Sequence, residues 1–272
     1  MKATLRLGAV AGSVGLGLSL ALLPAVQAHA ASTFVACGDI AGLRKAINTF
    51  NAAGSGDIAL QSGCTYTVTD IDNGNNGLPA IKGAIRIGAF GATIARSTAT
   101  GTPDFRLFFV AQGGSLTLDR VNLAGGHLGS SSDTGGAVYN HGSFTVVQAT
   151  LSGNHAGSGG AIFNQAGGTA NLDAATVAGN TADLGGGITN VGTLNVNYST
   201  VHGNTASDLG GGVYNAAGGT SIVDSQVTGN TATNGGGGVF VAGGQVSAFN
   251  SNISGNSPDQ CEPAGSVPGC FG

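Results

Sequence analysis

The sequence predicts an all-β chain folded as a single-stranded parallel β-helix with one short N-terminal capping helix, and three observations predict it. A block of about 25 residues returns five times between Gly135 and Asn256, and a fixed period of that length is the mark of a solenoid. Each block holds two or three short runs of Val, Ile, Thr, Phe and Tyr, separated by Gly, Asn, Ser and Ala, which reads as strand, turn, strand, turn. No stretch of a repeat is long enough for an amphipathic helix. Composition agrees: Gly is 51 of 272 residues, charged residues are 8%, aromatics 6%, and Trp is absent, yet the β-branched runs and positive mean hydropathy argue against disorder.

Residues 1–30 read as a secretory signal peptide. Lys2 and Arg6 form a positive start, Leu7 to Leu23 is apolar, and Ala28-His29-Ala30 supplies a small-residue cleavage site. The remaining chain is expected to be soluble, extracellular or attached to a cell surface, with no transmembrane segment, because nothing later approaches ~20 apolar residues.

The N-terminal cap is assigned to 31–77, as a helix plus the first strands. Asp39 is a plausible N-cap, Ile40, Leu43, Ile47 and Phe50 recur at helical spacing, and Gly54 is a stop. Such a helix can lie over the first coil and cover strand edges that would otherwise recruit other chains. Residues 78–134 read as divergent coils continuous with the repeats, within one domain. At the far end, 257–272 forms a disulfide cap whose three prolines in NSPDQCEPAGSVPGC suit a non-strand plug. Four cysteines allow three connectivities. Cys37 and Cys64 lie close together in the chain, as do Cys261 and Cys270, so in an oxidising compartment two local bonds, Cys37–Cys64 and Cys261–Cys270, are expected.

The regular coils occupy 135–256. Their ends, TLSGN, TVAGN, TVHGN, QVTGN and NISGN, close on Asn154, Asn180, Asn204, Asn230 and Asn256 at spacings of 26, 24, 26 and 26. A second marker runs GGAVYN to Asn140, GGAIFN to Asn164, GGITN to Asn190 and GGVYN to Asn215, and Val241 breaks it. Stacked coils turn such positions into columns in which each amide can hydrogen-bond the next, so both series are assigned to structural ladders. Val138, Ile162, Ile188, Val213 and Val239 form one lumenal column, and Leu151, Val177, Val201, Val227 and Ile253 another.

An N-terminal cysteine and short helix, then GCTYTVT, GLPAI, GATIARS, FRLFFV, GGSLTL and repeats ending in GN, resemble the secreted bacterial β-helix proteins of the pectin-lyase-like superfamily. In particular the sequence looks like the actinobacterial type with repeats related to those of polymorphic outer membrane proteins. The resemblance implies a right-handed helix and an extracellular place, and names no catalytic residue. The long alternating strand series of an outer-membrane barrel is missing from this sequence.

All seven basic residues after residue 30 lie from Arg44 to Arg120, whereas seven acids follow from Asp133 to Glu262. Acidic polysaccharides and nucleic acids would meet repulsion along the regular part. A lyase base could come only from Lys82, Arg86, Arg96, Arg106 or Arg120. Aligning coils on their closing GN puts Arg120, Gln148, Ala174, Tyr198, Asp224 and Asn250 in one column, with Asp119 and Asp173 one step away. Asp173 and Asp224, with Arg120, are the candidates for catalysis, since hydrolysis needs two spaced carboxylates.

Asp183, Asp208 and Asn234 share a place before the glycine marker and are the candidate calcium ligands, because carboxylates stacked ~5 Å apart repel unless a cation intervenes. No other cofactor is implied. His127 and His155 stack one coil apart, two ligands without a third. Tyr139, Phe163, Tyr214 and Phe240 form an aromatic column interrupted by Thr189. Facing outward it would stack on sugars or a partner protein, and facing inward it would be core. A Thr-lined ice-binding face lacks its regular TxT array. The chain is therefore expected to be a monomeric structural, adhesive or binding scaffold whose partner is a carbohydrate or a cell-surface protein. The alternative is a polysaccharide lyase or glycoside hydrolase acting in an external groove.

Overall fold

A computed structural model describes residues 31–270; the assigned signal peptide lies outside them. The described chain is a parallel β-solenoid of about nine turns. Its first stack carries one strand from every turn: Ser32–Val35, Ser55–Leu60, Ala84–Arg96, Ser115–Ala124, Ser143–Val147, Thr169–Asp173, Thr193–Asn197, Gly219–Val223 and Gln245–Phe249. We number the coils one to nine in that order. Every pairing between neighbours is parallel and in register over the regular part.

Alternation explains why these runs are strands. In Thr193–Asn197, Leu194 and Val196 are fully buried while Thr193, Asn195 and Asn197 face outward. The lumen therefore fills with one Val, Ile, Leu or Phe column per inward position, each buried side chain contributing roughly 1.5–3 kcal/mol. Val138, Ile162, Ile188, Val213 and Val239 are all fully buried on a separate seven-stranded stack; Leu151, Val177, Val201 and Val227 are fully buried on the short strands that follow the first stack, Thr150–Ser152, Thr176–Ala178, Thr200–His202 and Gln226–Thr228, and Ile253, on Asn252–Ser254 of the last coil, is half-buried. A short extra stack, Thr181–Leu184, Thr205–Leu209 and Thr231–Ala232, gives the middle coils a fourth side.

The paired glycines of the marker answer to close approach between coils. A Cβ on Gly160 would collide with the Gly186 carbonyl oxygen, and one on Gly186 with Thr205 and Gly211. Only glycine lets successive backbones stack so tightly there.

Both ends are covered. The helix spans Ile40–Ala53, starts where the Asp39 carboxylate accepts from the Gly42 amide at 2.7 Å, and ends at Gly54 in the left-handed region. Leu43, Ala46, Ile47 and Phe50 are its buried face. The disulfides are Cys37–Cys64 and Cys261–Cys270. The C-terminal plug departs from a non-strand reading: Cys261–Glu262 pairs with Val239–Val241, because Cys261 takes the lumenal place above Val239 and adds one more rung. Val267 is buried beneath the same cap. Among the described residues no helix is long and apolar enough to cross a membrane.

Candidate functional site

The two asparagine columns are inside the wall of the solenoid. Asn140 Nδ2 donates to Asn164 Oδ1 at 2.8 Å, Asn164 to Asn190 at 2.8 Å and Asn190 to Asn215 at 2.9 Å. In the second series Asn154 donates to Asn180, Asn180 to Asn204 and Asn204 to Asn230 at 2.9 Å each, and Asn230 to Asn256 at 3.0 Å. All nine residues are buried, and their amides are occupied by one another and by backbone carbonyls, so they present nothing to a ligand. Where Val241 replaces the next rung, Asn215 Nδ2 donates to the Gly243 carbonyl. Below Asn256, the Gln260 side chain accepts from both Asn256 N and Nδ2 at 3.0 Å, in the place of a further asparagine.

The outer surface concentrates its distinctive side chains on one long corner, between the first stack and the strands that follow it. Arg120, Gln148, Ala174, Tyr198, Asp224 and Asn250 all turn this corner with φ of 50° to 57°. This is the left-handed region, where a side chain with a Cβ is strained and only Asn and Asp are at ease. A buried serine column supports the turn: the amides of Ala175, Ser199 and Ser225 donate to Ser199, Ser225 and Ser251 Oγ at 2.9, 3.0 and 3.1 Å.

Four large rings stand out from this corner. Phe34, Phe90, Tyr198 and Phe249 are 65%, 71%, 66% and 73% exposed, and among the described residues the one other exposed large apolar side chain, Ile71, reaches only 39%. Register places Phe34, Ala59, Gly88, Asp119, Val147, Asp173, Asn197, Val223 and Phe249 in one unbroken column. Phe34 is thus on coil one and Phe249 on coil nine. Tyr198, one residue past Asn197, is on coil seven. Phe90 belongs to coil three, where a register shift between Gly88 and Ala92 pushes it outward.

Near Phe90 the corner becomes charged. Asp119 pairs with Arg86 and with Arg120, the latter at 3.0 Å, and Arg120 lies 5.5 Å above the Phe90 ring. Partial burial opposes ionisation of Asp119, but the Arg120 and Arg86 guanidinium groups outweigh it and hold the carboxyl below its usual range. A shallow cavity of about 220 Å³ is lined here by Asp57, Arg86, Phe90, Asp119 and Arg120, and a second of about 430 Å³ continues past Gly91, Asn122 and Gln148.

The candidates for catalysis lie along the same corner but apart. Asp173 is exposed on coil six, and Asp224 is on coil eight, where Asn250 Nδ2 donates to its carboxylate. Tyr198 occupies the coil between them. Arg120 is on coil four, engaged with Asp119. Of the remaining basic candidates, Arg96 binds the carbonyls of Thr102 and Pro103 and Asp104, and Arg106 is held over the Tyr139 ring at 5.3 Å.

Asp183 and Asp208 do not stack on each other as their alignment implies. An extra residue in Thr205–Leu209 shifts the register between Ala182 and Leu184. Ser207 then donates to Asp183 at 2.6 Å, and Asn234 Nδ2 donates to Asp208 at 2.9 Å. Each carboxylate meets a neutral donor from the next coil, which removes the repulsion that a calcium ion would relieve. Among the described residues no group of three or more His, Cys, Asp or Glu side chains is placed to hold a metal.

The aromatic column of the seven-stranded stack faces outward but is half-buried. Phe109 begins it, Tyr139 stacks on Phe163 at 5.4 Å and Tyr214 on Phe240 at 5.6 Å. Thr189, the interruption, is buried and hydrogen-bonds Ser158 and the Leu184 carbonyl. These rings mostly face each other, whereas the free rings are at the corner. Periodicity picks out recurring aromatics and so passes over Phe34, Phe90 and Phe249, which recur in no repeat. Tyr198 was legible as the single aromatic of the corner column. Comparisons with protein-family models, with curated proteins and with solved structures find no match to this chain, so its function is read from its own residues.

Proposed function

We propose that this chain is a secreted extracellular or cell-surface protein, structural or adhesive in role, that works as a monomeric binding scaffold without catalysis. The observation that carries the reading is the engagement of the outward charges along the corner, with Asp173, the exposed exception, two coils from Asp224 and Tyr198 on the coil between them. Asp119 is held between two arginines, Asp183, Asp208 and Asp224 each accept from a neutral side chain of the next coil, and Arg96 is bound within its own loop. General acid–base work needs carboxyls poised for protonation and set across one bond; these are spread along a rigid wall. Two disulfides at the ends suit an oxidising compartment, in keeping with the signal-like residues 1–30. The sequence resemblance supports a right-handed helix of the pectin-lyase-like superfamily with repeats of the actinobacterial type.

A second reading, a polysaccharide lyase or glycoside hydrolase, is favoured by the cavity where Arg86, Asp119, Arg120 and Phe90 meet. Incubation with a polysaccharide panel that includes polygalacturonate, with and without calcium, separates the two. Binding without release of products is the expected outcome. Turnover abolished by Asp173→Ala, Asp224→Ala or Arg120→Ala would overturn the scaffold reading.

A further inference from the structure

We propose that the corner edge is a binding site for an extended, uncharged β-1,4-linked polysaccharide, with Phe34, Phe90, Tyr198 and Phe249 as its stacking platforms. The proposal rests on the reading of the chain as a non-catalytic scaffold and names the ligand class of that same corner.

Spacing is the first argument. The four rings sit on coils one, three, seven and nine, so the intervals are two, four and two coils. At ~4.8 Å per coil these are about 10, 19 and 10 Å. A β-1,4-linked chain of pyranose rings flips each ring relative to the last, so the same ring face returns at every second residue, a repeat of closely similar length. Platforms on odd-numbered coils therefore meet equivalent faces of the sugar chain. The rings deviate sideways by no more than about two residues from one column, a few Å at the strand rise.

Chemistry is the second argument. An aromatic face is negative and attracts the C–H-rich face of a sugar ring. No two of these rings touch: Phe90 carries Arg120 on one face, Phe34 and Phe249 have only Ala59 and Val223 as their column neighbours, and hydrogen-bonding groups fill much of the surface between them. Asn122, Gln148, Asn197 and Asn250 lie between or beside the platforms. A protein partner would call for a contiguous desolvated patch, whereas isolated rings in a row of amides match a ligand of alternating apolar faces and hydroxyl rims.

Charge and rigidity complete the case. Beyond Arg120 the edge carries Asp173 and Asp224 and no base, so a polyanion is repelled and an uncharged chain is not. Tyr198 stands on the left-handed corner, and Phe34 and Phe249 on strands paired in register with the next coil, so the backbone beneath these platforms is already ordered and little ordering entropy is lost there on binding.

Calorimetric titration of the full chain, as secreted, with cellohexaose and N-acetylchitohexaose, and with polygalacturonate as the polyanion, tests the proposal. Binding of at least one neutral hexasaccharide is expected at each end of the edge, because six sugar rings reach two neighbouring platforms but not the full row of about 38 Å; Tyr198→Ala and Phe249→Ala should each weaken the place on coils seven to nine about tenfold, the loss of one stacking contact of up to about 1.5 kcal/mol. Ile71→Ala, an exposed apolar side chain elsewhere, should leave affinity unchanged. Alanine already occupies the left-handed corner at position 174, so Tyr198→Ala folds, as its melting temperature will verify. Absence of neutral-glycan binding overturns the proposal. So does affinity for polygalacturonate alone, or a hexasaccharide bound by every ring-to-alanine variant as tightly as by the unchanged chain. Hydrolysis of a bound hexasaccharide would instead sink the scaffold reading, while its dependence on Tyr198 would still support the edge.

Discussion

At the scale of single residues, the corner column shows how a repeated fold distributes strain. Six non-glycine residues take φ near 50° at the same turn, and each conformation costs roughly 1–2 kcal/mol for a residue that is not Gly, Asn or Asp. Ala174 has no side chain that repays this. Ala174→Gly should raise unfolding free energy by about 0.5 kcal/mol or slightly more, the relief of strain less the greater freedom of glycine when unfolded. Denaturant titration measures it, and a loss of stability would show that the corner is not strained. His155 gives a second residue-level expectation. Burial first, and then the His127 ring stacked 4.8 Å away, lower its pKa below 6.5, against opposing influences from Asp183, the Thr181 backbone and Asp104. The unfolded chain therefore takes up this proton more readily than the folded one. Stability is fully present above the ordinary histidine value and is lost as pH falls through the lowered one. His155→Gln should flatten that acid limb of the melting temperature as pH falls below the ordinary histidine value of about 6.5; an unchanged slope would assign it to other groups.

Among elements, the ladders make one coil depend on the next. Asn204 accepts from the Asn180 amide and side chain and donates to Val177 O and Asn230. Asn204→Ala strands several buried polar groups at once, each costing about 1–3 kcal/mol, so a loss of about 3 kcal/mol or more is expected from chemical unfolding. Gln260 is the informative contrast. It is half-buried and closes the ladder from outside the repeat, so Gln260→Ala should cost only about 1 kcal/mol, because water can replace it. Equal losses at the two positions would mean that the ladder is not the cooperative unit. The short stack holding Asp183 and Asp208 illustrates the same dependence in reverse: one added residue in one coil leaves Thr181 and Ala182 paired with Thr205 and Ala206 but turns Asp183 from Asp208 to Ser207.

For the whole molecule, stability is close to a sum of coil and interface contributions, so the ends are where opening begins. The Cys261–Cys270 and Cys37–Cys64 bonds close 9- and 27-residue separations, worth about 2.5 and about 3.5 kcal/mol on a loop-entropy basis. Reduction should therefore speed hydrogen exchange in Gln245–Phe249 and Ser32–Val35 while Thr169–Asp173 stays protected. Uniform acceleration across all coils would contradict this picture. Rigidity between the caps is also what lets rings on coils one and nine act as one binding edge.

The sequence by itself determined the solenoid, its period, the lumenal columns, the capping helix and both disulfides, because each is written as a local pattern or as a recurrence that stacking must place in line. It also exposed the corner column, though not that its residues are left-handed. Tertiary structure alone decided which aromatics are free. Tyr139 and Phe163 recur one coil apart and cover each other, whereas Phe34, Phe90 and Phe249 come from a terminal strand, an insertion and the last coil, with no common motif. Exposure depends on what the neighbouring coil places beside a ring, and register depends on every residue counted since the coil before. Neither quantity is carried by the residue or its flanking sequence, so the edge exists only once the coils are stacked.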